Sequence, residues 1–171
     1  MIIWFTGMSG SGKTAIAERV EKKLADEGKS VHRVDGDRFR AKAGTTNQFS
    51  REAILENNYK IIDYCDSIKN DYDIIVVAVI SPFQETRDKA REIFGKDYKE
   101  IFIDCPMEVL LKRDTKELYS KAKAGEITNL IGFSLGTPYE RPTNPDLTID
   151  TSKTTVAEAV EKVYKLITTR S

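Results

Sequence analysis

Gly7-Met8-Ser9-Gly10-Ser11-Gly12-Lys13-Thr14 matches the pattern G-x-x-x-x-G-K-[ST] without a mismatch. Upstream, Ile2–Thr6 (IIWFT) is a short apolar run that reads as a buried strand. Downstream, Ile16, Val20 and Leu24 recur every four residues and mark one face of a helix. Strand, glycine-rich loop and helix in that order make a phosphate-binding loop. Its glycines let successive N–H groups turn toward phosphate oxygens, and the helix N-terminus adds partial positive charge. Lys13 would then reach the β- and γ-phosphates, and the Thr14 hydroxyl would bind Mg²⁺. A glycine-rich turn followed by a chance Lys-Thr is the competing reading, and it accounts for neither flanking element. The expected site is therefore one for a nucleoside triphosphate.

The rest of the chain repeats the alternation of β-rich and helix-period runs, the pattern of an α/β fold with a mainly parallel sheet between helices. Val31–Val34 reads as a second strand, ending at Asp35-Gly36-Asp37, with residues 41–50 (AKAGTTNQFS) as an irregular loop over the site. Ser50 is placed to cap a helix with Ile54, Ile61, Ile62, Cys65 and Ile68 inward. Ile74–Ile80 has no polar alternation, as expected of a central strand buried on both faces. Glu85–Phe94 reads as a helix, Ile101–Asp104 as a strand, and Met107 to about Arg113 as a helix. Leu147–Asp150 is the last strand. Thr155-x-x-Glu158 is a capping-box pattern opening a final helix with Val156, Val160, Val163 and Ile167 on one side. The stretch between, about 113–140, is too long for an ordinary connection and reads as a lid.

Composition limits the rest. The 171 residues suggest one domain, 1–171, able to bury a core without disulfides. Lys+Arg and Asp+Glu both number 27, which argues against a nucleic-acid polymer or a membrane surface as partner through bulk charge. The longest apolar run, Ile74–Ile80, is far short of the roughly 20 residues of a membrane span. The N-terminus carries no basic region before its apolar run. Cys65 and Cys105 lie in apolar settings and read as reduced core residues of a cytoplasmic protein. Trp4 reads as core and His32 as a surface side chain.

Two clusters point to chemistry. No Asn-Lys-x-Asp guanine-reading motif is present, and Val79-Ile80-Ser81 ends the central strand without the usual acid. The acids fall instead at Asp35 and Asp37. A small-molecule kinase needs a carboxylate near the acceptor hydroxyl, so Asp37 is the candidate acceptor-side base or Mg²⁺ contact; the competing reading is a plain turn. Residues 112–123 carry five cations (Lys112, Arg113, Lys116, Lys121, Lys123) against Asp114 and Glu117. A cationic flap of that kind suits phosphoryl transfer, which is catalysed largely by positioning and neutralising charge. Arg87 or Arg91 could position an acceptor, although an amphipathic helix with exposed cations explains them nearly as well.

With these residues in view, the chain resembles the adenylyl-sulfate (APS) kinase family along nearly its whole length. The resemblance rests on GMSGSGKT (7–14), DGDRFR (35–40), FSREAILEN (49–57), ISPFQETRDKAR (80–91), RDTKELYSKAKAGEI (113–127) and PYERPTNPDLTIDT (138–151). It implies Mg-ATP as donor, with Gly7, Ser9, Gly10, Ser11, Gly12, Lys13 and Thr14 around its phosphates and Arg113 on the same side. It implies transfer to the ribose 3′-hydroxyl of a small nucleotide. Asp37 and Arg40 would meet that acceptor, Phe49 would stack on its base, and Asn57 with the Ile80-Ser81 backbone would line its pocket. Lys116 and Lys121 would close over the transferring group. A homodimer is implied by the family alone.

The departures concern the acceptor. Ala53-Ile54 stands where an Asp-Arg pair is expected, and Asn57-Asn58-Tyr59-Lys60 where Asn-Ile-Arg-Arg is expected. In the lid, Leu130-Ile131-Gly132-Phe133-Ser134 replaces Phe-Thr-Gly-Ile-Asp, removing a stacking aromatic unless Phe133 restores it by a register shift. Losing an arginine fork and a stacking ring each costs on the order of 1–3 kcal/mol of binding. The expected acceptor is therefore adenylyl sulfate, or a changed one such as cytidine diphosphoramidate of capsule phosphoramidate biosynthesis. A catalytically silent nucleotide-binding switch is the reading from another class.

Overall fold

The computed structural model describes residues 1–43, 50–114 and 116–169. Five strands, β1 (Ile2–Thr6), β2 (Val31–Asp35), β3 (Ile74–Ala78), β4 (Tyr98–Asp104) and β5 (Leu147–Asp150), form one sheet in the order β2-β3-β1-β4-β5, every pairing parallel. Among the described residues, seven α-helices accompany it, α1 (Lys13–Asp26), α2 (Gly36–Ala43), α3 (Arg51–Ile68), α4 (Gln84–Phe94), α5 (Met107–Arg113), α6 (Leu118–Lys123) and α7 (Val156–Thr168), with one short 3-10 turn at Gly95–Asp97. This is the three-layer arrangement of P-loop kinases.

The two faces of β1 show how the sequence makes the layers. Ile3 and Phe5 point to one side and pack with Ile16, Val20 and Leu24 of α1 and Val160 and Val163 of α7. Ile2 and Trp4 point to the other and pack with Ile61, Ile62 and Cys65 of α3 and Ala90 and Phe94 of α4. That period of two, with both faces covered, explains why the strand is apolar throughout. Both cysteines are free and buried. Among the described residues no helix is long and apolar enough to cross a membrane.

Local signals act where the residues place them. Gly28 takes φ 82° after α1, Ser50 Oγ accepts from Ala53 N at 3.2 Å, and Thr155 and Glu158 complete a capping box on α7. Three expectations change. The central strand stops at Ala78: Val79 N still donates to Phe5 O (3.2 Å) and Ile80 O accepts from Gly7 N (3.4 Å), and Ser81 then turns at φ 43°. Residues 41–43 of the expected irregular loop belong instead to α2, which starts where Asp35 Oδ1 accepts from the N–H groups of Asp37 (3.0 Å) and Arg38 (3.2 Å); residues 44–49 lie outside the described residues. His32 is half-buried against Tyr64 and Tyr72.

Arg87 is the largest surprise, since it is wholly buried. It donates to Ser81 O (2.6 Å), Glu140 O (2.7 Å) and Gln84 Oε1 (2.8 Å), and its Nε lies 3.0 Å from Glu100 Oε1 without hydrogen-bond alignment. The guanidinium thus ties the strained Ser81 turn to the strap before β5. Removing one partner of a buried pair strands the other charge, at about 3–5 kcal/mol. Arg87→Met should lose that much in chemical unfolding, and Arg87→Met with Glu100→Leu should recover part of it. Unchanged stability in the single variant would contradict this reading.

Candidate active site

In an all-parallel sheet every strand ends at the same edge, and here β1 sits where the strand order reverses, the place where such sheets bind ligands. Residues 7–14 cross that edge. Gly7 lies so close to β4 that a β-carbon there would be 2.4 Å from Ile103 O. Gly10 (φ 76°) and Gly12 (φ 102°) take left-handed conformations that curl the loop over the start of α1. Thr151, just after β5, donates to Ser11 O at 2.9 Å and accepts from Arg113 at 3.2 Å, while Arg113 also donates to Thr151 O at 2.6 Å. Tyr119 of α6 donates to Ser9 O at 2.8 Å. Arg113, through Thr151, and Tyr119 thereby tie the segment read as a lid to this loop.

Above the loop opens a cavity of about 930 Å³, lined on the donor side by Ser9, Gly10, Gly12, Lys13 and Thr14 and roofed by Arg113, Lys116 and residues 126–131. Asp35, Asp37, Arg40 and Ile80 line its opposite side. Lys13 Nζ is folded back onto Gly7 O (2.8 Å) and Met8 O (2.7 Å), carbonyls that phosphate oxygens would replace as partners. Burial, then the charge of Lys116, pushes its ammonium down to about 7 against the opposing pull of Asp37 and Asp35.

Asp37 holds Lys116 at 2.5 Å and pairs with Arg40 on its other oxygen. Burial would raise its carboxyl, but the hydrogen bond and charge of Lys116, with Arg40 and Lys13, outweigh it and hold the group below the usual carboxylate range. Thr14 Oγ1 lies 3.4 Å from Asp35 Oδ2, so the carboxylate brought to that hydroxyl is Asp35. Among the described residues no cluster of three His, Cys, Asp or Glu side chains is formed. A hydroxyl with one nearby carboxylate fits Mg²⁺, which keeps several waters and takes further ligands from substrate phosphates.

A second cavity, about 50 Å³, opens beside the first and shares Arg40, Val79, Ile80 and Ile131 with it. Asn57 and Ser81 line it, as do Ala53 and Ile54 at the positions where the resemblance implied Asp-Arg. Two expected residues lie apart from both cavities. Lys121 points along its own helix toward Glu117, 3.8 Å away, and the Phe133 ring packs edge-on against Tyr119 at 5.8 Å. Phe49 lies outside the described residues. Sequence reasoning did not single out Thr151, Tyr119 or Tyr139, whose hydroxyl lies 2.9 Å from Thr6 Oγ1. Only the strand ends and the TID-T sequence at 148–151 hinted at the first.

The family model described as adenylylsulphate kinase matches residues 1–150. The adenylyl-sulfate kinase of Clostridium kluyveri is 38% identical over 98% of this chain and 83% of its own length. That of Halothermothrix orenii is 41% identical over 96% and 88%. The chain belongs to the adenylyl-sulfate kinase family. The solved APS kinase of Mycobacterium tuberculosis, in complex with AMPPNP and APS, superposes with TM-score 0.91 at 36% identity, over 98% of this chain and 97% of that one. A shikimate kinase from Aquifex aeolicus, 13% identical with TM-score 0.61, shares the fold.

As an adenylyl-sulfate kinase family member the chain is an ATP-dependent phosphotransferase working with Mg²⁺, and its lysine acquires a measurable signature. At pH 8 a Lys13 that titrates near 7 is mostly neutral in the free protein, whereas bound phosphates favour its charged form. Calorimetry of Mg-ATP binding at pH 8, in buffers of different ionisation enthalpy, should show net proton uptake of roughly one. The uptake should vanish well below pH 7 and in Lys13→Met; equal uptake in Lys13→Met would assign the proton elsewhere.

Proposed function

We propose that this chain transfers the γ-phosphoryl group of ATP to the ribose 3′-hydroxyl of a small nucleotide with an anionic tail, of the adenylyl sulfate type. The observation that carries the proposal is the juxtaposition across one cavity of Lys13 and Thr14 with Asp37 and Arg40. Phosphoryl transfer asks for an in-line donor and acceptor and for neutralised oxygens more than for covalent chemistry. The loop amides and Lys13 would hold the donor phosphates. Mg²⁺ bound with ATP would neutralise charge on the β- and γ-phosphate oxygens, with Thr14 and Asp35 as its protein-side partners. Asp37 stays ionised and orients the acceptor hydroxyl, accepting its proton as the new O–P bond forms. Its depressed basicity suits a loose transition state, in which the hydroxyl proton leaves late. Lys116, bonded to Asp37, keeps positive charge beside the transferring group, and Arg113 sits over the loop near Ser11.

A second reading keeps this chemistry and changes the acceptor to one such as cytidine diphosphoramidate. It is favoured by one observation: Ala53 and Ile54 form the pocket wall while Phe133 is turned to Tyr119, leaving less cationic and aromatic surface than a sulfate-tailed purine nucleotide would use.

Lys13→Ala should lower kcat/KM by at least about 10²–10³-fold, and Asp37→Asn by about 10²–10⁴-fold, with unfolding midpoints near that of the parent. Mg-ATP consumption with adenylyl sulfate, cytidine diphosphoramidate and CDP as acceptors checks both. A Lys13→Ala variant turning over at the parent rate would defeat the mechanism. Absence of turnover with every acceptor would favour the silent switch.

A further inference from the structure

The wall that α3 gives the smaller cavity has Ala53 and Ile54 where the resemblance implied an Asp-Arg pair, yet it is not without charge. Ala53, Asn57 and Lys60 stand at i, i+4 and i+7, one face of the helix, and all three line the cavity. Helical side chains lean toward the N-terminus of their own helix, so a long one at residue 60 projects back toward the turn that holds 53 and 54. The Lys60 ammonium does so: it meets Glu56 Oε1, one turn back, at 2.6 Å. Glu56 lines the same cavity, and the Lys60 side chain is 51% exposed, so the pair is open to a ligand that enters there.

The size of the cavity says which part of a ligand that is. A water needs roughly 10–15 Å³ of such volume, so about 50 Å³ takes a small tetrahedral group and no nucleobase. The cavity opens toward the larger one past Arg40 and Ile80, beside Asp37. With the ribose at Asp37, the terminal group of the acceptor falls on the Lys60 side. Arg40 is already engaged by Asp37, whereas Lys60 is held only by Glu56.

An exposed pair one helical turn apart is among the weakest of ion pairs, and a charge-assisted hydrogen bond to an anion in a recess is stronger. The ammonium therefore turns from Glu56 to an oxyanion that enters, and the carboxylate remains beside it. A sulfate or amidate end brings one negative charge, which Lys60 balances. A terminal phosphate brings nearly two at neutral pH, since its last proton leaves at about pH 6, and the second charge faces Glu56. We propose that Lys60, with Glu56 as its counter-charge, determines specificity by holding the terminal oxyanion of the acceptor, selecting ends with one negative charge over ends with two. The proposal rests on the nucleotide-kinase reading above and names the tail charge of its acceptor.

The test uses the full chain and acceptors that differ in the tail: nothing beyond the 5′-phosphate (AMP, CMP), one further charge (adenylyl sulfate, cytidine diphosphoramidate) and a terminal phosphate (CDP). Calorimetric Kd is measured with Mg-AMPPNP filling the donor site, and kcat and KM with Mg-ATP, for the parent, Lys60→Gln, Lys60→Arg and Glu56→Gln. Both side chains are exposed, so unfolding midpoints should stay near the parent's. Lys60→Gln should raise Kd and KM about tenfold for the singly charged tails and less than about threefold for AMP and CMP, with kcat and the KM for ATP near parent values. Lys60→Arg, which keeps the charge, should stay within about threefold of the parent. The parent should bind CDP more weakly than cytidine diphosphoramidate, and Glu56→Gln should narrow that gap by about threefold or more. Equal losses for tailed and tailless nucleotides in Lys60→Gln, or a gap unchanged in Glu56→Gln, overturn the proposal while the kinase reading stands. Tail-dependent binding that is lost in Lys60→Gln, without turnover of any acceptor by the parent, overturns the kinase reading and supports the role of the pair; neither binding nor turnover in the parent overturns both.

Discussion

A β-carbon on residue 7 would sit 2.4 Å from the carbonyl oxygen of Ile103, so the chain can turn off β1 across the sheet edge only as glycine. Everything else in the site depends on that close approach. It lets the loop curl at Gly10 and Gly12 into the start of α1 and brings the Lys13 side chain back onto the Gly7 and Met8 carbonyls. The residue before it, Thr6, donates to Ile80 O at 2.6 Å and meets the Tyr139 hydroxyl. The same strand end thereby fixes the loop on one side and the Ile80-Ser81 turn of the acceptor wall on the other.

Charge is organised locally around that strand end. The 27 cations and 27 anions cancel over the whole chain, yet Lys13, Arg40 and Lys116 converge on Asp37. Burial and Lys116 push the Lys13 ammonium down to about 7, against the pull of Asp37 and Asp35, so a bound anion would favour its charged form. Net charge reports on bulk partners; a few placed cations and backbone N–H groups recognise a small phosphate.

Much of the scaffold was legible because local chemistry dictates it. The apolar run before Gly7, the four-residue period after Lys13, the cap at Ser50 and the box at Thr155 act within one turn of helix or one strand. What escaped depends on contacts far apart in sequence. Ile74–Ile80 looks like one strand, but Arg87 and Thr6, which donate to Ser81 O, and Thr86, which meets the Ser81 hydroxyl, hold its end in a left-handed turn. Arg87 itself resembles a surface cation until Glu100 and the Glu140 carbonyl are brought to it. Lys121 and Phe133 lie within a cationic and aromatic segment, but α6 turns the first toward Glu117 and Tyr119 holds the second. The eroded acceptor pattern at 53–60 was visible as letters, whereas the reach of Lys60 back to Glu56 beside the smaller cavity was visible only in the fold.

The central claim is that Lys13 and Asp37 face a single transfer point at a ribose hydroxyl. Phosphorus–proton correlation NMR of the product formed from Mg-ATP and an accepted nucleotide locates the new ester directly. The γ-phosphoryl group should appear on the 3′-oxygen alone; phosphate on the 2′-oxygen or on the acceptor's terminal group would contradict the account.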